Sequence, residues 1–148
     1  MAGRFTADLR RFVARANGNA DAVVRKVVLD LGTAIIERTP VGDPLTWKHP
    51  APAGYAGGRA RGSWNYGFGN VPPPAQQVDE SGGASMARVV SGVAGNDARG
   101  LHYIINSVPY IRRLEYDAWS TQAPAGMVRI TIEEFQHFVE QACREVNR

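Results

Sequence analysis

Ala60-Arg61-Gly62-Ser63-Trp64-Asn65-Tyr66-Gly67-Phe68 reads as a β-strand. Trp64, Tyr66 and Phe68 alternate with Ser63, Asn65 and Gly67, the two-residue period of a pleated segment with one face turned inward. Val71-Pro72-Pro73-Pro74 ends it, because successive prolines supply no ladder donors and hold the chain as a stiff extended spacer. Residues 101–105 form a second strand closed by Asn106-Ser107. Between the two, Asp79-Glu80-Ser81-Gly82-Gly83 is turn material, and residues 85–93 fit either a strand or a short helix.

Helical patterns flank this centre. Phe5, Leu9, Phe12, Val13 and Ala16 recur at helical spacing and predict a short amphipathic helix stopping near Asn17-Gly18-Asn19. Val24, Val27, Val28, Leu31, Ile35 and Ile36 predict a second, with Asn19 as its cap and Pro40 as its stop. Residues 110–116 read as a helical turn. At the other end, Thr131-Ile132-Glu133-Glu134 fits a capping box, and Phe135, Phe138, Val139, Ala142, Cys143 and Val146 follow as a buried face. The order α-α-β-(β or α)-β-α predicts an α+β fold in which a small antiparallel sheet packs against two or three helices. Residues 1–148 form one structural domain in this reading, with long Gly/Pro-rich loops at 40–58 and 69–84.

Composition bounds the function. The 148 residues suffice for one core, and 44% apolar and 21% charged residues are ordinary for a globular chain. Cys143 is the sole cysteine, which excludes an intrachain disulfide scaffold and suits a reducing compartment. No run approaches a membrane span, and no signal peptide is expected. The net charge of +3 gathers on residues 1–38, which carry seven Arg/Lys against four Asp/Glu. That excess is too small to name nucleic acid as a ligand, although a basic face near DNA is physically reasonable.

No catalytic, cofactor or metal site is expected. His49, His102 and His137 lie on different elements, without metal-ligand spacing. Ser63 stands in a strand instead of at a nucleophile elbow, and the glycines of Gly54-Tyr55-Ala56-Gly57-Gly58 lack a phosphate-binding helix behind them. Glu37 and Glu115 read better as partners of Arg59, Arg61 or Arg112 than as an acid–base pair. Arg59 and Arg61 share a strand face by period two, open to solvent, to a salt bridge or to DNA. Trp47, Tyr55 and Trp119 sit in Gly/Pro/Ser/Thr-rich segments, where they either anchor an interface or fold back over the core.

Four islands are shared with a known pattern. They are Thr39-Pro40-Val41; Gly58-Arg59-Ala60-Arg61-Gly62-Ser63-Trp64; Asn106-Ser107-Val108-Pro109-Tyr110-Ile111 with Leu114-Glu115; and Gln122-Ala123-Pro124-Ala125-Gly126-Met127-Val128 before the closing helix. In order and spacing, from about Asp30 to Ala142, they resemble tailed-bacteriophage minor tail or neck proteins of the tail-completion type. The family form has Asp-Thr-Gly soon after Thr-Pro-Val. Here Gly42-Asp43-Pro44 opens an insertion through Gly57.

The resemblance implies a non-enzymatic virion subunit, made in the host cytoplasm and placed at the head–tail junction. It implies a ring of roughly six or twelve copies, since heterologous contacts close into rings. The partners implied are further copies of the chain, other neck and tail proteins, and genomic DNA passing through the lumen, with no membrane. Thr39, Pro40, Arg59, Arg61, Gly62, Trp64, Asn106, Pro109, Tyr110, Glu115, Gly126 and Met127 are then framework and joint residues. By the charge asymmetry, Arg10, Arg11, Arg15, Arg25 and Lys26 would then face the lumen or a neighbouring ring. The rival expectations are a nucleic-acid-binding protein and a small hydrolase using His102, Glu115 and Ser63.

Overall fold

The computed structural model describes residues 2–147, with the side chains of residues 2–5, 12, 13 and 15–17 outside the description. Its first element, α1 (Ala2–Arg38), is one continuous helix about 55 Å long at 1.5 Å per residue. The break expected at Asn17-Gly18-Asn19 is absent. A glycine inside a helix costs only ~1 kcal/mol against alanine. The apolar phase also carries across it, because Leu9 and Val27 are separated by about five helical turns. The stripe positions Phe5, Phe12, Val13 and Ala16, with Arg15, have side chains outside the described residues.

Pro40 ends α1, and the chain enters a loop holding only a single 3₁₀ turn at Pro44–Thr46, which Asp43 caps by accepting from the Leu45 amide at 3.1 Å. A helical turn follows, α2 (Arg59–Gly62), and only then β1 (Trp64–Phe68). The strand expected from residue 60 therefore starts at Trp64, and Arg59 and Arg61 do not share a strand face. Two glycines impose the turn. Gly58 takes φ +100, and the Gly62 amide donates back to the Gly58 carbonyl at 2.8 Å. A side chain at Gly62 would meet the Gln77 carbonyl oxygen 2.4 Å away.

β1 pairs antiparallel with β2 (His102–Asn106), in the register Trp64 opposite Asn106 and Phe68 opposite His102. No third strand joins them among the described residues. Residues 85–93 lie within a helix, α3 (Gly83–Gly95), whose Ser85, Val89 and Val93 are buried at four-residue spacing. Gly92 lets α3 sit on the Tyr66 ring, where an added Cβ would fall 2.0 Å from Cδ1.

Three helices close the chain: α4 (Ile111–Tyr116), α5 (Val128–Glu133) and α6 (Phe135–Val146). The fold is thus 53% helical around a two-stranded ribbon, which corrects the expected α+β sheet packed against two or three helices. Helix α1 is the common support, packed against α3, α5 and α6. The core joins Ile35 and Ile36 of α1 to Trp64, Val89, Val108, Leu114 and Met127.

Thr131 does not cap the last helix. It lies inside α5, fully buried, donating to the Met127 carbonyl at 2.6 Å and accepting from Arg38 at 2.9 Å. Glu134, expected to complete the box, instead receives the Arg38 guanidinium at 2.8 and 3.0 Å at the junction of α5 and α6. The buried face expected on α6 is also narrower: Ala142 is fully buried, Phe138, Val139, Cys143 and Val146 are half-buried, and Phe135 is 49% exposed.

Candidate functional site

The site has two layers, a buried frame and an exposed face built on it. In the frame, Thr39 is fully buried just beyond α1; its hydroxyl donates to the Ile35 carbonyl at 2.7 Å and accepts from the Trp64 indole N–H at 2.8 Å. Pro40, also buried, turns the chain there. Arg61 caps the same helix end. Its Nε donates to the Thr39 carbonyl at 2.9 Å and its terminal nitrogens to the Glu37 and Glu80 carbonyls at 3.2 and 3.0 Å. A cation at a helix C-terminus satisfies orphan carbonyls and opposes the helix dipole. Asn106 ties β2 to α2, donating to the Ala60 carbonyl at 2.7 Å.

Glu115 carries the second half of the frame. Its carboxylate accepts from the backbone amides of Met127, Val128 and Arg129 at 2.8 to 2.9 Å, closing the N-terminus of α5. Burial alone pushes this carboxyl up; the three amides and the Arg129 guanidinium outweigh it and hold it below the usual carboxylate range. The expected partners Arg59, Arg61 and Arg112 are therefore replaced by Arg129, whose Nε lies 3.3 Å from Glu115 Oε1. Gly126, at φ +84, passes over the Glu115 carbonyl so closely that a Cβ would lie 2.6 Å from that oxygen. Met127, next to it, has no exposed surface.

Above the frame, aromatic side chains from separate segments meet. Trp47 packs edge-on against Tyr55 with ring centroids 4.8 Å apart, and Tyr110 leans on Trp119 at 5.8 Å. Burial raises the Tyr110 hydroxyl above its ordinary value, and the Arg59 charge opposes that rise. Gln122 fastens the segments together by bonding both the amide and the carbonyl of Val41, at 3.0 and 2.8 Å. Trp47, Tyr55 and Trp119 remain 40%, 38% and 56% exposed, so none of them folds back into the core. Arg59 and Pro109 are exposed.

Several residues that hold this arrangement were not singled out from the sequence. Arg88 of α3 reaches the Trp64 carbonyl at 2.9 Å, the Gly62 carbonyl, Ser85 Oγ and the Gln77 side chain. Asp79 accepts from Ser81 and from the Ala84 amide at the start of α3, and these bonds, the Ser81 hydroxyl first, hold its carboxyl low. The Asp-x-Ser spacing before Gly82-Gly83 was a legible signal for that cap. Arg88 left no signal of its own.

The three residues of the hydrolase reading do not meet. Ser63 Oγ bonds the backbone of Gln77, and Glu115 caps α5. The His102 Nε2–H donates to the Ala98 carbonyl at 2.9 Å, which leaves Nδ1 to accept from the Tyr66 hydroxyl at 2.6 Å. Among the described residues no group of three or more His, Cys, Asp or Glu is arranged to hold a metal ion, and no helix is long and apolar enough to cross a membrane. Of the five basic residues expected to face a lumen, Arg25 donates to the Asn96 carbonyl and Lys26 is paired with Asp30 and Glu145. Arg10 and Arg11 are exposed. Compared with known proteins, the chain matches no family model, no curated protein and no solved structure.

Proposed function

We propose that this chain is a non-enzymatic structural subunit of a tailed-bacteriophage virion, a tail-completion or neck protein. It assembles as a ring at the head-proximal end of the tail and helps join head to tail around the DNA path. The observation that supports this reading most is the exposure of Trp47, Tyr55 and Trp119, with Trp47 packed on Tyr55 and Trp119 on the half-buried Tyr110. Rigid aromatics of this kind bury large area at low entropic cost when a partner covers them. In a ring, each subunit offers such a face to a different face of the next. The partners in this reading are further copies of the chain and the adjoining neck and tail proteins.

The test is particle completion with a Trp47→Ala/Tyr55→Ala variant supplied in place of the wild-type chain. The variant should fold normally and leave heads and tails unjoined. Normal joining by a folded variant would overturn the reading.

A further inference from the structure

Around α4, arginine and aromatic side chains are interleaved on one exposed surface. Arg112 lies over the Tyr116 ring with its guanidinium carbon 5.8 Å from the centroid, and Arg129, reaching from α5, lies over the same ring at 5.0 Å. Arg113 lies over Trp119 at 5.6 Å. Tyr116 and Trp119 are more than half exposed, at 58% and 56%, and all three arginines are exposed.

Ion pairing does not consume Arg112 or Arg113. Glu115 is turned inward to close α5 and takes only Arg129. Among the described residues neither Arg112 nor Arg113 has a carboxylate within ion-pair distance, and Asp117, the remaining acid of the segment, is exposed and pairs with neither. Among the described residues Arg112 and Arg113 thus remain without a carboxylate partner, in a chain whose whole net charge is only +3.

A guanidinium stacked on a ring keeps its N–H edge free while the ring fixes its plane. Such edges bind anionic oxygens in a bidentate way, and a row of them matches a ligand that repeats its charge. A phosphodiester chain is that ligand: its closely spaced phosphates reward several guanidiniums at once. We infer that the α4 surface is a nucleic-acid contact in which Arg112 and Arg113 take backbone phosphates while Tyr116 and Trp119 hold their guanidiniums in position; Arg129, bonded to Glu115 through Nε and a terminal nitrogen, braces the Tyr116 ring. This pairing of basic and aromatic groups is what the strand residues Trp64, Tyr66 and Phe68 lack. The inference goes beyond the assembly reading and does not rest on ring formation, since a single subunit presents the whole surface.

The test is fluorescence anisotropy of a labelled random-sequence DNA duplex titrated with the full chain over a range of salt. Arg112→Ala/Arg113→Ala should weaken binding roughly tenfold or more and flatten the log–log salt dependence by about two. Arg112→Gln/Arg113→Gln, which keeps most of each aliphatic stem, should do the same if the alanine pair unfolds. Tyr116→Ala should weaken binding several-fold without altering the charge, and Tyr116→Phe should restore it. Arg10→Ala/Arg11→Ala, an equal charge loss on α1, should leave binding near wild type. The inference is overturned if the α1 pair matters as much as the α4 pair, if the wild-type chain ignores the duplex at low salt, or if polyglutamate competes as well as DNA. The last result would assign the surface to an acidic protein partner. Particle joining is a separate readout, so either reading can fail alone.

Discussion

The indole N–H of Trp64 donates to the hydroxyl of Thr39 at 2.8 Å, and that hydroxyl in turn donates to the Ile35 carbonyl. One buried oxygen therefore links the end of α1 to the start of β1, with both residues nearly or fully out of solvent. Thr39→Val keeps the shape and orphans the indole donor. The expected loss is about 1–3 kcal/mol, the cost of a buried polar group left unpaired. Urea unfolding followed by tryptophan fluorescence measures it; an unchanged midpoint would remove Thr39 from the frame.

Glu115 gives the fold an acid-sensitive point. Its folded-state carboxyl is held below the usual range, so the unfolded chain takes up its proton first as pH falls. The associated stability is fully present above the unfolded-state value and is lost as pH falls through the folded-state value. Glu115→Gln should cost on the order of 1–3 kcal/mol at neutral pH. Its unfolding midpoint should also vary less than the wild type's between neutral and acid pH. Parallel curves for the two proteins would refute the assignment.

Two glycines on helix-related segments should respond in opposite directions. Gly18 lies inside α1 with nothing within 4 Å of an added Cβ, so Gly18→Ala should stabilise the chain by up to about 1 kcal/mol. Gly126 combines φ +84 with the nearby Glu115 carbonyl, so Gly126→Ala should destabilise it by roughly 1–3 kcal/mol. Thermal unfolding of both variants against wild type checks the signs.

Exposed aromatics should be neutral for folding. Trp119 is 56% exposed and Trp47 40%, so alanine at either position should change stability by about 1 kcal/mol or less. On the proposed assembly reading, their effect should appear in joining of heads to tails. A large thermal loss from Trp119→Ala would return that side chain to a purely internal role.

Helix positions were legible where the apolar period was long. Val27, Ile35 and Ile36 are buried on α1 as that period implies. What the sequence concealed was continuity and context. Asn17-Gly18-Asn19 looks like a stop, but no proline or packing demand enforces one. Arg59-Ala60-Arg61 alternates as a strand does, yet the glycines on either side fold it into a turn. Thr131 and Glu134 have capping-box spacing, but Arg38 claims both side chains from another helix. For the candidate site, the composition around Trp47, Tyr55 and Trp119 left open whether they anchor an interface or fold back over the core, and the structure leaves all three exposed. Arg112 and Tyr116 stand four apart on α4, but that Arg129 returns from α5 to the same ring was not legible. Local pattern carries little information about such non-local pairings.

Helix α1 is fastened to the body from Asp21 onward, through Arg99, Asn96, Glu145 and Glu134, while Leu9, Arg10, Arg11 and Gly18 stand in solvent. The helix is therefore a ruler as well as a support. Whatever meets its far end is kept at a fixed stand-off from the globular part. Each inserted heptad would lengthen that gap by about 10 Å while nearly preserving the direction in which the tip faces.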